Sequence, residues 1–444
     1  MSEIIIKNVK VVDLRFPTSR ERIGSDAVNK DPDYSAAYCI LETNVGLEGH
    51  GLTFTLGRGT ELCVMALEYL GRFVKGCSLS SLTDDMAAFS RRLTDESQFR
   101  WLGPEKGVIQ LATGALINAV WDLYARAEGR PLWRLLAEME PEQILSAVEF
   151  RYIDDALSRE EALDILRSAK HGKAERIAEL ERNGYLAYTT SAGWFGFSDE
   201  KIRRLCQEAL RVGWTHFKLK VGGEPEDDLR RGRIVREEIG WTNKLMVDAN
   251  QKWGVEEAIE RTRALGELEP WWMEEPTNPD DILGHARIRA AVAPTRIATG
   301  EHCHNRIMFK QFLQAKAIDV CQIDSCRVGG VNENLAILLM AKKFGVPVCP
   351  HAGGVGLCEY VQHLSAFDYV GVSCTMENRV IEYVDHLHEH FTDPVRIERG
   401  RYRMPEAPGY SIEIRPESLE RYRFPDGEAW RAAVPAGFAS EVLR

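Results

Sequence analysis

Short apolar runs that end on a polar residue recur through the later part of this 444-residue chain: HFKLK, KLMVDAN, WWMEEP, RIATGE, DVCQID and VPVCPH. Segments of helical period lie between them; Ile202, Leu205 and Ala209, for instance, share one face ahead of HFKLK. Strand-length apolar runs alternating with a 3.6-residue period predict parallel strands joined by right-handed crossovers. Two weaker runs, LAYTTS around Tyr188 and VIEYV with Glu382 and Tyr383, extend the series at either end. The expected fold class is α/β, a (β/α)8-type barrel of modified TIM form over residues 146–390.

Residues 1–145 carry a different pattern. Ile4 to Arg15, Tyr38 to Asn44 and His50 to Gly57 read as strands of a small antiparallel meander, and helices follow. In ALINAVWDLYARAEGRP, Leu116, Ala119, Val120 and Leu123 form an i, i+3, i+4, i+7 stripe that Gly129 and Pro131 terminate. This predicts an α+β domain that caps the barrel. A polar stretch from Ser19 to Pro32 is too long for a hairpin turn and has the length of a functional lid. The charged stretch from Ser158 to Arg182 reads as one or two inserted helices, and residues 391–444 as an irregular segment packing back on the capping domain.

The polar ends of the apolar runs bring in chemistry. Lys220, Asp248, Glu274, Glu301, Asp324, His351 and Glu382 follow one another at intervals of 28, 26, 27, 23, 27 and 31 residues, each about one strand-helix unit. A closed parallel barrel gathers such strand-end residues at one mouth. Asp248, Glu274 and Glu301 would repel one another there without a cation between them, and an all-oxygen set on rigid strands suits Mg²⁺. Lys218 and Lys220, two apart on one strand, point to the same side about 6.7 Å apart. At an effective dielectric near 20 their repulsion is roughly 2.5 kcal/mol, which predicts a Lys220 amine depressed well below its usual value near 10.4 and able to act as a base. Asp324 and His351 end consecutive strands, so the carboxylate can fix the imidazole tautomer and hold an imidazolium as general acid.

Composition narrows the partners. A net charge of −11 argues against nucleic acid, and ten cysteines without a CxxC…CxxC pattern argue against a zinc ribbon. His302, Cys303 and His304 have zinc-binding types, but adjacent residues alternate direction. MSEIIIKNVKVVD lacks a signal peptide's apolar core, and no apolar run reaches the eighteen or so residues needed to span a bilayer. A cytoplasmic homo-oligomer acting on a small molecule, with neither nucleic acid nor membrane as partner, is expected.

The motifs HFKLKVG, VDANQKW, WWMEEP, IATGEHC, QIDSCRVGG and CPHAGGVG together resemble the enolase superfamily, in its mandelate racemase subgroup. FPTSRERIGSDAVNKDPDYSAAY, RWLGPEKG, EEPTNPDDILGHA and EYVDHLHEHF are most similar to the L-fuconate dehydratases of that subgroup. The resemblance implies Mg²⁺ on Asp248, Glu274 and Glu301, with Lys220 taking the C2 proton of an acid sugar. His351, backed by Asp324, would protonate the departing 3-hydroxyl and later the enol. Lys218 and Glu382 would bind the substrate carboxylate, Asn250 would touch substrate or metal-bound oxygens, and Gly24, Ser25, Asp26 and Tyr34 would close over the distal hydroxyls. A dehydratase or racemase for another acid sugar such as L-galactonate keeps the same machinery. A Schiff-base aldolase using Lys220, or a non-catalytic sugar-acid binder, is the alternative from another class.

Overall fold

The computed structural model describes residues 3–21, 23–103 and 105–431; the last part of the predicted C-terminal segment, 432–444, lies outside the described residues. Strands β1 (Ile6–Arg15), β2 (Ser35–Thr43) and β3 (Glu48–Thr55) form an antiparallel sheet in chain order. Its inner face lies on the helix Gly107–Ala127, whose residues are mostly buried. The approach is close because β3 carries glycine where it meets the helix: a Cβ at Gly51 would overlap the Ala115 carbonyl. That helix is, by length and composition, apolar enough to cross a membrane, against the expectation that no segment would be; its apolar surface is spent in this core.

Parallel strands β4 (Tyr185–Thr189), β5 (His216–Lys220), β6 (Lys244–Asp248), β7 (Trp272–Glu274), β8 (Arg296–Thr299) and β9 (Val320–Cys321) pair in sequence order. The next stave, in VPVCPH, is joined more sparsely. Cys321 N–H donates to Pro347 O, Cys349 N–H to Cys321 O and His351 N–H to Ile323 O, with one isolated bridge at Val348. Strand β10 (Ile381–Tyr383) then pairs in parallel with β4 and closes the ring. Helices Asp199–Arg211, Pro225–Ile239, Val255–Ala264, Ile282–Val292, Arg306–Gln314, Gly330–Phe344 and Leu357–Phe367 supply the crossovers. Tyr188, Met246, Trp272, Ala298, Val320, Cys349 and Val380, from seven of the eight staves or their approaches, fill the inside of the ring.

The charged stretch before β4 forms two helices, Arg159–Ser168 and Lys173–Asn183. Ser158 starts the first with a capping box to Glu161. Both dock outside the barrel: Lys343 pairs with Glu161, and the Arg176 guanidinium donates to Val370 O at 2.9 Å. After β10, the hairpin of β11 (Arg396–Glu398) and β12 (Arg401–Arg403) pairs antiparallel with the start of β4. The chain then returns to the N-terminal sheet, where Phe424 N–H donates to Asp13 O and the Trp430 indole to Arg15 O.

Candidate active site

Strand register builds the floor of the site. Lys220 lies opposite Asp248 in the β5/β6 pairing and Asp248 opposite Glu274 in β6/β7, so the three are lateral neighbours at one rim. Glu301 follows β8, and one ligand oxygen from each of Asp248, Glu274 and Glu301 lies within 4.8 Å of the others. All three side chains are buried. Burial, reinforced by neighbouring carboxylates, raises Glu274 and Glu301 above the ordinary carboxylate range. Two oxygens here are buried without a protein partner, Glu301 Oε2 and Asn250 Oδ1. Converging hard oxygen donors with unused acceptor capacity fit a divalent cation of the magnesium type. Asn250 and Gln251, just beyond β6, hold left-handed backbone (φ 44° and 63°), as does Glu275 beyond β7 (φ 44°), a cost that non-glycine residues bear where the fold dictates it.

The lysine pair corrects the sequence expectation. Burial, the largest single influence, does disfavour both ammonium groups, but neighbouring carboxylates outweigh it and hold both above the ordinary lysine range. Lys218 Nζ lies 2.6 Å from Glu274 Oε1, 2.8 Å from Glu382 Oε1 and 3.4 Å from Asp248 Oδ2. Lys220 Nζ donates to Asp248 Oδ2 at 2.6 Å. Repulsion between the two amines was the right sign for that pair alone; the carboxylates that strand register places beside them reverse the result.

His351 Nδ1 is 2.7 Å from Asp324 Oδ2, and Asp324 Oδ1 accepts from the N–H groups of Cys326 and Arg327, which fixes the carboxylate plane. His351 Nε2 stands 3.8 Å from Glu301 Oε2 and 3.9 Å from Glu382 Oε2. Burial lowers the imidazole, yet Glu301, the Asp324 hydrogen bond and Glu382 together push it up to about 10. Glu382 accepts from Thr190 Oγ1 at 2.9 Å and Ala352 N–H at 2.8 Å; burial raises it, but Lys218, His351 and Lys220 hold it down at about 2.

Behind β10 a buried carboxylate, Glu359, pairs with the half-buried His388. His388 Nδ1 is 2.6 Å from Glu359 Oε1, His388 Nε2 is 2.7 Å from Val384 O, and the ring stacks on Tyr383 at 5.2 Å. A carbonyl only accepts, so Nε2 carries a proton, and the other proton is shared between Nδ1 and the carboxylate. Burial lowers His388, but Glu359 outweighs it and lifts the imidazole to about 9.

The roof comes from the capping domain. Residues 17–21 and 23–33 belong to a loop whose neck is stitched shut by Phe16 N–H to Tyr34 O (2.8 Å), Thr18 Oγ1 to Pro32 O (2.8 Å) and Tyr34 N–H to Thr18 Oγ1 (2.9 Å). Under it is a cavity of about 340 Å³ lined by Gly24, Asp26, Tyr34, Asn250, Lys220, Glu301, Asp324, His351 and Glu382. Gly24 is at φ +79°, and a Cβ there would overlap the Tyr34 hydroxyl. Asp26 lines the cavity, but its carboxylate is engaged by Val28 N–H, Asn29 N–H and Asn29 Nδ2, so it shapes the loop instead of offering a free ligand. Ser25 departs from expectation: its hydroxyl turns to Phe195 O at 3.4 Å and lines a neighbouring groove. Lys218 departs as well, lying below the cavity floor with a fully buried side chain. Asn29, Trp194, His302 and Arg327 also line the cavity, with Phe54, Val108 and Leu111 as an apolar wall; of these the sequence offered only His302 as a candidate ligand, within the HCH run set aside above.

Residues 201–418 match the enolase C-terminal domain-like family. The crystal structure of human mitochondrial enolase superfamily member 1 superposes with a TM-score of 0.97 at 54% identity, covering 98% of this chain and 99% of that one. This chain belongs to the enolase superfamily. Its superfamily relatives include the L-galactonate dehydratase of Hypocrea jecorina, 53% identical over 437 residues and 97% of each chain. The L-talarate/galactarate dehydratase of Salmonella typhimurium LT2, solved with Mg and L-lyxarohydroxamate, shares the fold at 24% identity with a TM-score of 0.75, covering 95% of this chain and 93% of that one.

The enolase-superfamily chain thus brings its strand-end acids together at one rim. His302 joins them, with Nδ1 2.9 Å from Glu275 Oε1 and 3.5 Å from Glu301 Oε1. Burial lowers the His302 imidazole and Glu275 raises it, with a net rise. That carboxylate partner, which adjacency in sequence does not reveal, ties the HCH run to the floor.

Proposed function

We propose that the protein is a Mg²⁺-dependent hydro-lyase that converts L-fuconate to 2-keto-3-deoxy-L-fuconate. The observation that carries this reading is a buried carboxylate trio, reaching the cavity at Glu301, flanked there by Lys220 on β5 and the Asp324-backed His351 on the seventh stave. Asp248, Glu274 and Glu301 would hold the cation. When bound it supplies the positive charge that offsets the second negative charge appearing on a carboxyl group as the proton beside it leaves.

Lys220 takes the C2 proton. Its contact with Asp248 retains the ammonium proton, so withdrawing that carboxylate's charge from Lys220 frees the amine to act as base. His351, protonated and held by Asp324, gives its proton to the 3-hydroxyl, which departs as water. The resulting enol then gains a proton at C3 and loses one from its hydroxyl, giving the 2-keto-3-deoxy acid. Glu382 and Lys218 set the charge beneath the substrate carboxyl.

L-Fuconate and L-galactonate differ only at C6, a methyl in one and a hydroxymethyl in the other. The apolar wall of Phe54, Val108 and Leu111 favours the methyl. The likeness to the fungal L-galactonate dehydratase favours the other acid and stands as the second reading. The test is a panel of acid sugars with Mg²⁺, scored for 2-keto acid by semicarbazide. L-Fuconate should give the highest kcat/KM, with L-galactonate next. A higher value for L-galactonate selects the second reading, and no turnover across the panel rejects both.

A further inference from the structure

Arg327 stands three residues beyond Asp324, and its side chain lines the cavity. Two bonds fix its base: its backbone N–H donates to Asp324 Oδ1 at 2.9 Å, and its Nε–H donates to Glu301 O at 3.0 Å. Past that point, among the described residues, no carboxylate reaches within 4.0 Å of the guanidinium, and neither Nη group has an acceptor. The neighbouring buried arginines behave differently. Arg306 pairs with Glu105 and Glu333, Arg231 with Asp227 and Asp228. A half-buried guanidinium that lines a cavity and whose outer donors have no protein acceptor has given up water without gaining a protein partner, an arrangement that a ligand completes.

Its position says which part of a ligand. The backbone of Arg327 is tied to Asp324, which backs the general acid, while its Nε is tied to the Glu301 backbone at the edge of the carboxylate trio. Lys220 approaches from the far side of that trio, on β5. A chain whose first carbons meet Lys220, the trio and His351 therefore presents its later carbons toward the cavity wall where the fork opens.

We propose that Arg327 is the specificity-determining residue for the distal half of the acid sugar, its two Nη groups donating to two hydroxyl oxygens beyond C3. A planar pair of parallel donors matches two neighbouring oxygens, which a single ammonium does not. The inference rests on the acid-sugar reading above.

The test measures binding by calorimetry with Mg²⁺ in a Lys220→Ala background, where substrate is not consumed, alongside kcat/KM in the otherwise wild-type chain. Arg327→Met should weaken L-fuconate binding about 10- to 100-fold, the scale of charge-assisted hydrogen bonds. It should leave lactate, a 2-hydroxy acid with no distal hydroxyls, unchanged. Arg327→Lys should fall between, and gives a second variant should the methionine fold poorly. Equal losses for L-fuconate and lactate would overturn the proposal and make Arg327 a support for Glu301, as would no loss for either. A loss confined to galactarate would assign the fork to a distal carboxylate and also overturn it. Failure of the wild-type chain to turn over any acid sugar would instead reject the functional reading, a result distinct from each of these.

Discussion

Replacing Glu359 with glutamine removes the buried half of a pair that lines no part of the catalytic cavity. In the folded protein burial works against the His388 imidazolium, and Glu359, its hydrogen bond, the Val384 carbonyl and Glu389 more than compensate, to about 9. An unfolded histidine titrates near 6.5, so the difference links to about 3 kcal/mol of stability. The sign follows from the raised value. The stabilisation is complete below about pH 6.5 and disappears as pH climbs through about 9. Urea unfolding followed by tryptophan fluorescence should therefore place Glu359→Gln about 3 kcal/mol below wild type near pH 6, with the gap closing by about pH 9.5. A gap that stays constant across that range would refute the argument, because it would mean that the proton shared by His388 and Glu359 contributes nothing beyond packing.

Other outcomes follow from the cavity. Lys220→Ala and His351→Asn should each abolish dehydration while L-fuconate still binds in calorimetry; full activity in either variant removes that residue from the mechanism. EDTA should extinguish turnover and Mg²⁺ restore it, whereas activity that survives EDTA and is trapped by borohydride would point to a Schiff base on Lys220. Gly24→Ala should raise KM at least about 10-fold with unchanged circular dichroism, because the new methyl displaces the Tyr34 ring from the roof. An unaltered KM would show that Tyr34 does not touch substrate.

The barrel was legible because each stave ends an apolar run at nearly constant spacing, and a parallel ring turns that spacing into proximity. Asp248 and Glu274 meet for this reason, as do Asp324 and His351 on consecutive staves. Charge balance was not legible. Whether Lys220 faces an amine or a carboxylate depends on register, and register paired it with Asp248. Likewise Lys218 shares a strand face with Lys220, but one layer deeper its amine is caught by Glu274 and Glu382 below the cavity. The roof was legible as a segment and not as side chains. Ser25 and Asp26 sit in the expected loop, but their polar groups serve its internal hydrogen bonds or a neighbouring carbonyl, and Asn29 stands at the cavity instead. Arg327 escaped notice because a lone arginine between a strand end and a glycine pair has no pattern; its missing partner is visible only in three dimensions.

The stitched neck at Thr18, Pro32 and Tyr34 holds the canopy at its base, and the canopy comes from a different domain from the charged groups of the barrel rim. Substitutions between those anchors reshape the cavity roof while the acids, amine and imidazole beneath keep their wiring. Loops tolerate such drift far better than packed strands do. Change in the roof is thereby uncoupled from change in the rim.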